Sequence, residues 1–296
     1  MGFENALSEI TLVLFTTLAP SGVLACQIIG AVLLFAHPSD DCHRRLSKFL
    51  CIPVLVALVG LVASATHLGN PGNALYVLSG VGRSPLSNEV FAGVVFFGLV
   101  GSYWFYSFSE TRRPTLERLW IVLFLLAGVG FLAGVALAYN VNTIITWYSP
   151  LVPLGLVLNA LVGGPLLALC VFAAADKDFA GDGDAPLNRR VAYASVAVSG
   201  AAAAANAIVY ATQGMMMESL SNSLVSFIRL VPMYPAAVGA FAVLCAAAIV
   251  VDVFMLRRSR RLSVSVASLA ALLALMGIFA MRFTFYMSHM TVGVSL

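Results

Sequence analysis

The sequence has 296 residues, of which 61% are hydrophobic and only 10% are charged, and its mean hydropathy is +0.98. Soluble domains carry about 25% charged residues, so this composition excludes an ordinary soluble domain and indicates an integral membrane protein. The formal net charge of +3 is too small, and the basic residues are too dispersed, to predict nucleic-acid binding.

Eight segments are long and apolar enough to cross a bilayer, which takes about 20 residues per helix. Lys, Asp and Glu interrupt them only near their ends, so an all-α membrane fold is predicted and a β-barrel is not. The first segment follows acidic residues without Lys or Arg, so we expect it to be retained and not removed as a signal peptide. We predict one polytopic membrane domain over residues 1–296, with spans at residues 10–36, 47–67, 89–108, 118–139, 150–175, 190–213, 233–256 and 263–286.

The basic residues gather at one end of these spans. All but three of the 16 lysines and arginines lie in or beside the connections after the first, third, fifth and seventh spans. The exceptions are Arg83, Arg229 and Arg282. The positive-inside rule therefore predicts a protein of the cytoplasmic membrane, with its N- and C-termini both outside the cytoplasm.

The two longest outer connections, residues 68–88 and 214–232, are almost uncharged and rich in Gly, Pro, Ser, Asn and Met. Long loops of this kind favour a docking surface for another protein. There is also a weak internal repeat, because residues 65–67 read Ala-Thr-His and residues 211–213 read Ala-Thr-Gln. This repeat is compatible with two parallel four-helix halves.

Several kinds of site are not predicted. The five cysteines form no Cys-x-x-Cys pair, so we expect no iron–sulfur cluster and no zinc or other metal. Haem is not expected either, because the histidines lie in loops or at the ends of spans and not in facing pairs. The central layers hold amides, such as Gln27, Asn159 and Asn206, and no Asp, Glu or Lys, so an ion-coupled transporter would lack its usual residues.

The remaining polar side chains cluster at the outer ends of the spans. His67 ends the second span and Glu89 begins the third. Arg282, Tyr286 and His289 are spaced i, i+4 and i+7, which predicts a single helical face. Such a rim suits a quinol, whose polar head lies at the interface, whose tail lies among helices, and whose two protons leave with two electrons. The same rim also carries Tyr139, Asn140, Trp147, Tyr148, Gln213 and Glu218.

Each of these residues has both a chemical and a structural interpretation. His67 is the natural base, because the ordinary pKa of histidine lies near neutral pH. Glu89 could take a second proton, and Arg282 could hold Glu89 ionised or stabilise a developing anion. Alternatively, His67 is a solvated rim residue, Trp147 belongs to an ordinary interfacial belt, and Arg282 only extends its head to the interface.

Short motifs connect the sequence to a known family. Residues 66–71 read Thr-His-Leu-Gly-Asn-Pro, and residues 87–89 read Ser-Asn-Glu. Residues 146–149 read Thr-Trp-Tyr-Ser, residues 163–167 read Gly-Gly-Pro-Leu-Leu, and residues 289–293 read His-Met-Thr-Val-Gly. In this order and at this spacing, the motifs resemble those of the membrane-anchor subunit of anaerobic dimethyl sulfoxide reductase.

The resemblance implies eight helices with both termini outside the cytoplasm, and a subunit without haem, iron–sulfur cluster or metal. It also implies that the protein oxidises menaquinol and passes the electrons to an iron–sulfur subunit and then to a molybdopterin catalytic subunit. The histidine of the family's His-Leu-Gly motif is tied to quinol binding, and that role falls on His67. With the residues inferred from position, the predicted quinol site comprises His67 and Glu89 as catalytic residues, together with Gly69, Tyr139, Trp147, Arg282 and His289.

The long outer connections indicate where the partner subunits of such a complex would dock. We expect both partner subunits to dock on the outer side, at residues 68–88, 140–149 and 214–232 and at the C-terminus. Enzymatic activity is then expected of the complex, a menaquinol:dimethyl sulfoxide reductase, and is left open for the isolated subunit. The alternatives are the anchor of a related S-oxide, N-oxide or polysulfide reductase, and a polytopic transporter that binds an organic anion.

Overall fold

The computed structural model describes residues 2–66, 71–177, 185–222, 224–258 and 262–292. These residues are almost entirely helical, and their only β-type pairings are isolated bridges. A 3₁₀ helix covers Pro71–Gly80, between the fourth and fifth α-helices. The α-helices are α1 (Gly2–Ser8), α2 (Ile10–Phe35), α3 (Asp40–Phe49), α4 (Cys51–Thr66), α5 (Pro85–Tyr106), α6 (Pro114–Ala138), α7 (Leu151–Lys177), α8 (Ala185–Met217), α9 (Phe227–Leu230), α10 (Tyr234–Arg258) and α11 (Val264–Met287).

Eight helical segments in the described part of the protein are long and apolar enough to cross a membrane, which confirms the predicted fold class. The second of them, Asp40–Thr66, combines α3 and α4. The short α1 and α9 lie outside the spans and contact each other. The protein is a multi-pass membrane protein.

The start of helix α5 differs from the predicted start of the span, and this changes the position of Glu89 within the helix. Helix α5 begins at Pro85, four positions before the predicted start of the span. The Ser84 hydroxyl accepts a hydrogen bond from the Ser87 backbone N–H, and Pro85 occupies the first turn, where its missing N–H costs nothing. Glu89 therefore lies in the second turn of a helix and not at its first residue.

The spanning helices form two rings of four. In the first half, α2 contacts α4, α4 contacts α5, α5 contacts α6, and α6 contacts α2. In the second half, α7, α8, α10 and α11 contact one another in the same order. Helices α2 and α7 join the two rings, and α2 also contacts α11. The order of contacts thus repeats between the halves, in agreement with the weak sequence repeat.

Small residues allow α2 and α7 to pack closely at the centre. A Cβ atom at Gly22 on α2 would lie 2.6 Å from the Pro53 carbonyl oxygen on α4. A Cβ atom at Gly164 on α7 would lie 2.7 Å from the Leu24 Cβ on α2. Close approach at small residues is typical of membrane helix pairs, where dispersion contacts replace the hydrophobic effect. The Gly-Gly-Pro-Leu-Leu motif therefore contributes to helix packing.

The buried amides of the second ring pair between helices. Asn206 on α8 donates from Nδ2 to Asn159 Oδ1 on α7 at 2.8 Å and to the Gly155 carbonyl at 3.2 Å. The Tyr210 hydroxyl also donates to Asn159 Oδ1, at 3.0 Å. This network holds α7 against α8 in a region where water cannot replace the lost hydrogen bonds.

Candidate functional site

The predicted rim residues are only partly within the described residues. His67 and Gly69 lie outside them, between the end of α4 at Thr66 and the 3₁₀ helix that begins at Pro71. That 3₁₀ helix contacts both α4 and α5. The predicted site residues that the structure does describe are Glu89, Tyr139, Trp147, Arg282 and His289.

Glu89 is a buried carboxylic acid on α5. Only 3% of the residue is exposed, and its Oε2 atom accepts no hydrogen bond from any described residue. Helix α6 packs directly on its backbone, because a Cβ atom at Gly134 would lie 3.1 Å from the Glu89 Cα. A buried carboxyl oxygen without a partner is costly. An ionisable residue in this position is therefore a candidate for binding or proton transfer.

Arg282 on α11 is buried as well, with 4% exposed. Its Nε atom donates to Thr16 Oγ1 on α2 at 2.9 Å. Its Cζ atom lies 4.1 Å from the centre of the Phe285 ring and 5.2 Å from that of Tyr139. The guanidinium therefore does not extend to the interface, so that interpretation of the sequence is wrong. Its Nη2 atom donates to no described residue and remains available to a ligand.

Aromatic rings surround Arg282. Trp147 stacks on Phe285 with ring centres 4.4 Å apart, and its Nε1 atom donates to the Phe285 carbonyl at 3.2 Å. Tyr139 lies 6.1 Å from Tyr286, centre to centre. Trp147 is only 8% exposed, so it belongs to the protein interior and not to a lipid-facing belt.

Tyr139, which follows the last residue of α6, lies on the helix that packs on Glu89. Its ring centre is 5.2 Å from the Arg282 Cζ. No ion pair joins Glu89 to Arg282 directly among the described residues, so the predicted contact between them is not present. We call the residues Thr16, Glu89, Tyr139, Trp147, Arg282, Phe285 and Tyr286 the rim cluster.

The loop after α6 is fixed by the C-terminal segment. The Ile145 N–H donates to the Met290 carbonyl at 2.9 Å, and the Val292 N–H donates to the Thr143 carbonyl at 3.0 Å. The Thr146 hydroxyl donates to the Ser288 carbonyl at 2.6 Å. The Thr-Trp-Tyr-Ser and His-Met-Thr-Val-Gly motifs, distant in sequence, therefore meet in space.

His289 is separate from the helical face to which the sequence assigned it. Helix α11 ends at Met287, so the spacing of His289 from Arg282 and Tyr286 does not place the three on one face. His289 is exposed, and its ring lies 5.2 Å from that of Trp147. The predicted single face is therefore wrong for His289, although its contact with Trp147 keeps it at the edge of the rim cluster.

A cavity that the sequence did not predict lies beside Arg282. It is lined by Thr146, Tyr210 and Gln213 as well as Arg282, and its ≈ 20 Å³ of space is enough for about one water. Beside it, a wider cleft of ≈ 350 Å³ is lined by Thr146, Gln213 and Tyr148. Arg282 and Phe285, which belong to the rim cluster, also line the smaller of these two spaces. Within the described ranges, no group of three or more His, Cys, Asp or Glu side chains is placed to hold a metal ion.

Comparisons with known proteins find similarity over nearly the whole sequence. Residues 3–287 match the sequence model of a family described as DMSO reductase anchor subunit (DmsC). The protein is 30% identical over 292 residues to the anaerobic dimethyl sulfoxide reductase chain YnfH of Escherichia coli, with 99% of each protein covered. It is 31% identical over 288 residues to a second anaerobic dimethyl sulfoxide reductase subunit of the same organism, with 97% of each covered. The corresponding subunit of Haemophilus influenzae anaerobic dimethyl sulfoxide reductase is 28% identical over 293 residues, with 99% of each protein covered.

Proposed function

Because this protein belongs to the DMSO reductase anchor subunit (DmsC) family, we propose that it oxidises menaquinol at the rim cluster and passes the electrons to an iron–sulfur subunit. That subunit would relay them to a molybdopterin catalytic subunit, where the terminal acceptor is reduced. Family membership makes the protein the membrane anchor of an oxidoreductase complex, and it removes the alternative of an unrelated transporter.

The observation that supports this site best is the buried Glu89 carboxyl, whose Oε2 atom has no partner among the described residues. The side chains nearby fit a quinol head group. The carboxyl oxygen can accept a hydroxyl proton, Nη2 of Arg282 is a free donor, and Tyr139 and Trp147 supply ring surfaces. When bound, menaquinol would supply two electrons and two protons.

The proposed roles of the residues follow from their positions. Glu89 accepts one proton from the quinol, because a carboxylate is a competent base when it is close to the reacting hydroxyl. His67, which precedes the 3₁₀ helix packed on α5, accepts the other. Arg282, held by Thr16 and Phe285, orients the head group and favours negative charge on its oxygens. Gly69 is assigned to the site from the His-Leu-Gly motif, and His289 lies at the edge of the site.

The orientation of the protein would make quinol oxidation electrically silent. The basic ends of the helices are proposed to face the cytoplasm, which puts the rim cluster at the outer face. The partner subunits would dock on the same face, at residues 68–88, 140–149 and 214–232 and at the C-terminus. Electrons then need not cross the bilayer, and the protons are released on the outer side.

A substitution at Glu89 tests the site directly. Glu89→Gln keeps the shape of the side chain but removes the base, so oxidation of a menaquinol analogue by membranes carrying the complex is expected to fall about 100-fold. Electron transfer from an artificial donor to the soluble subunits should be unchanged. Glu4→Gln is the matched control, because Glu4 is an exposed acid in α1, outside the proposed site and the proposed docking segments. Undiminished quinol oxidation in Glu89→Gln would refute the assignment.

A further inference from the structure

A second polar cavity lies at the opposite end of the first ring, where α2 ends and α6 begins. Its volume is ≈ 410 Å³, and its polar lining includes His37, Asp40, Arg44, Arg112, Glu117 and Arg118. This cavity is distinct from the rim cluster, because Glu117 lies in the first turn of α6 whereas Tyr139 follows its last residue. The proposed oxidation of quinol does not involve this second cavity.

A network of charged side chains lines the cavity, in which Glu117 and His43 are buried, Arg112 is half-buried and Asp40 is exposed. Glu117 is 4% exposed, and its Oε1 atom lies 2.9 Å from His43 Nε2. Its Oε2 atom accepts hydrogen bonds from Arg112 Nε at 3.1 Å and Nη2 at 2.7 Å. Arg112 also donates from Nη1 to Asp40 Oδ1 at 2.7 Å. Partial burial alone would lower the pKa of Arg112, but the hydrogen bonds and charges of Glu117 and Asp40 raise it above its ordinary value.

This network leaves the cavity with positive charge in excess. Both carboxylates in the lining are already bound to Arg112. Arg44 and Arg118 also line the cavity, are exposed, and have no hydrogen bond or ion pair with any described residue. Two free guanidinium groups at one polar cavity favour an anion, and guanidinium matches the geometry of phosphate particularly well.

The walls of the cavity indicate which kind of anion fits. Leu33 on α2 and Ile121 on α6 contribute apolar surface to the lining. On the same helices, Phe35 and Val122 are exposed, at 72% and 37%. A soluble anion would leave these apolar surfaces uncovered, whereas the acyl chains of a lipid would cover them. Basic cavities between transmembrane helices at the cytoplasmic side commonly bind anionic headgroups.

The turn between α2 and α3 adds a local observation. His37, which lines the cavity, has a positive φ of 47°, a conformation that costs energy for a residue with a side chain. Strained backbone of this kind often occurs where a ligand is bound. Arg44 on α3, which follows this turn, and Arg118 on α6 line the same cavity.

We propose that this cavity binds the phosphate of an anionic glycerophospholipid. Arg44 and Arg118 contact the phosphate, and the apolar walls contact the first part of the acyl chains. The bound lipid connects the α2–α3 turn with the start of α6, and so stabilises the basic end of the first ring. Phosphatidylglycerol has the required net negative charge, and phosphatidylcholine does not.

The proposal can be tested by native mass spectrometry of the purified, delipidated complex in a neutral detergent. The probes are phosphatidylglycerol, phosphatidylcholine with the same acyl chains, and inorganic phosphate. The double variant Arg44→Gln/Arg118→Gln is expected to bind phosphatidylglycerol about 25-fold more weakly, since each arginine contributes about fivefold. The matched control is Arg257→Gln/Arg258→Gln, which removes two exposed arginines at the same face but outside this cavity.

Preferential binding of phosphatidylglycerol by the wild type and the control, with loss in the double variant, supports the proposal. Equal binding of phosphatidylcholine, an equal loss in the control, or undiminished binding in the double variant overturns it. If inorganic phosphate displaces phosphatidylglycerol stoichiometrically, the site is one for a soluble anion and the lipid proposal is wrong. The comparison of the three probes needs only the wild-type complex, so it remains decisive even if a variant fails to assemble.

Discussion

Replacing Thr16 by valine should weaken the junction between the two rings. Thr16 Oγ1 accepts the hydrogen bond from Arg282 Nε at 2.9 Å and donates to the Leu12 carbonyl at 2.8 Å. Valine keeps the shape of threonine but removes the acceptor. A second guanidinium nitrogen of Arg282 would then lack a partner, since Nη2 has none among the described residues.

Two kinds of measurement bound the size of the effect. Hydrogen bonds to charged groups contribute about 1.5–3 kcal/mol to the stability of soluble proteins. Side-chain hydrogen bonds between membrane helices contribute about 0.6 kcal/mol on average, with a maximum near 1.7. Arg282 is charged and only 4% exposed, so we use a value near the upper end of the contributions measured for hydrogen bonds between membrane helices. We expect Thr16→Val to lower the free energy of unfolding by about 1.5 kcal/mol.

The neighbouring residue provides the control. Thr17 is also buried, but its hydroxyl donates to the Val13 carbonyl in its own helix, at 2.7 Å. Thr17→Val should therefore cost less than about 0.5 kcal/mol, because that carbonyl keeps its helical hydrogen bond. The assay is unfolding of the purified complex in mixed micelles with increasing dodecyl sulfate. Equal stability losses in the two variants would refute the role given to the Thr16–Arg282 contact.

Two further predictions concern the site and its orientation. His67→Ala should abolish oxidation of a menaquinol analogue while the subunits still assemble and accept electrons from an artificial donor; unchanged quinol oxidation would make His67 a structural residue. A cysteine introduced at the exposed Ser8, in α1, should react with a membrane-impermeant maleimide added outside intact cells, whereas one at the exposed Ser109, between α5 and α6, should not. The reverse labelling pattern would show that the protein has the opposite orientation in the membrane. The native cysteines are buried or half-buried and give a low background.

The spanning helices could be predicted because lipid-facing and buried positions are both apolar in a membrane protein. Hydropathy reports that property over a whole segment but is insensitive to where a helix starts. The start of α5 depends on local hydrogen bonding at Ser84 and on the fixed φ of Pro85, which moved Glu89 from the helix end to its second turn. In the same way, α8 begins at Ala185, five residues before the predicted span.

Candidate site residues could be proposed from the sequence, but the contacts between them could not. Arg282 lies near the end of its span, so the sequence allowed an extended side chain at the interface. Its actual partner, Thr16, is 266 positions away and belongs to a central helix, which no local pattern shows. The proximity of Trp147 to the C-terminal segment depends on pairing between two loops, which only the three-dimensional arrangement reveals.

Photolabelling would locate menaquinol in the complex and so test its proposed oxidation at the rim cluster. The purified complex would be illuminated with a photoreactive menaquinone analogue, and its adducts mapped by mass spectrometry with and without excess menaquinol. We expect adducts suppressed by menaquinol in peptides from the start of α5 and from residues 139–147 and 282–289. Competed adducts confined to the opposite, basic ends of the helices would contradict the account.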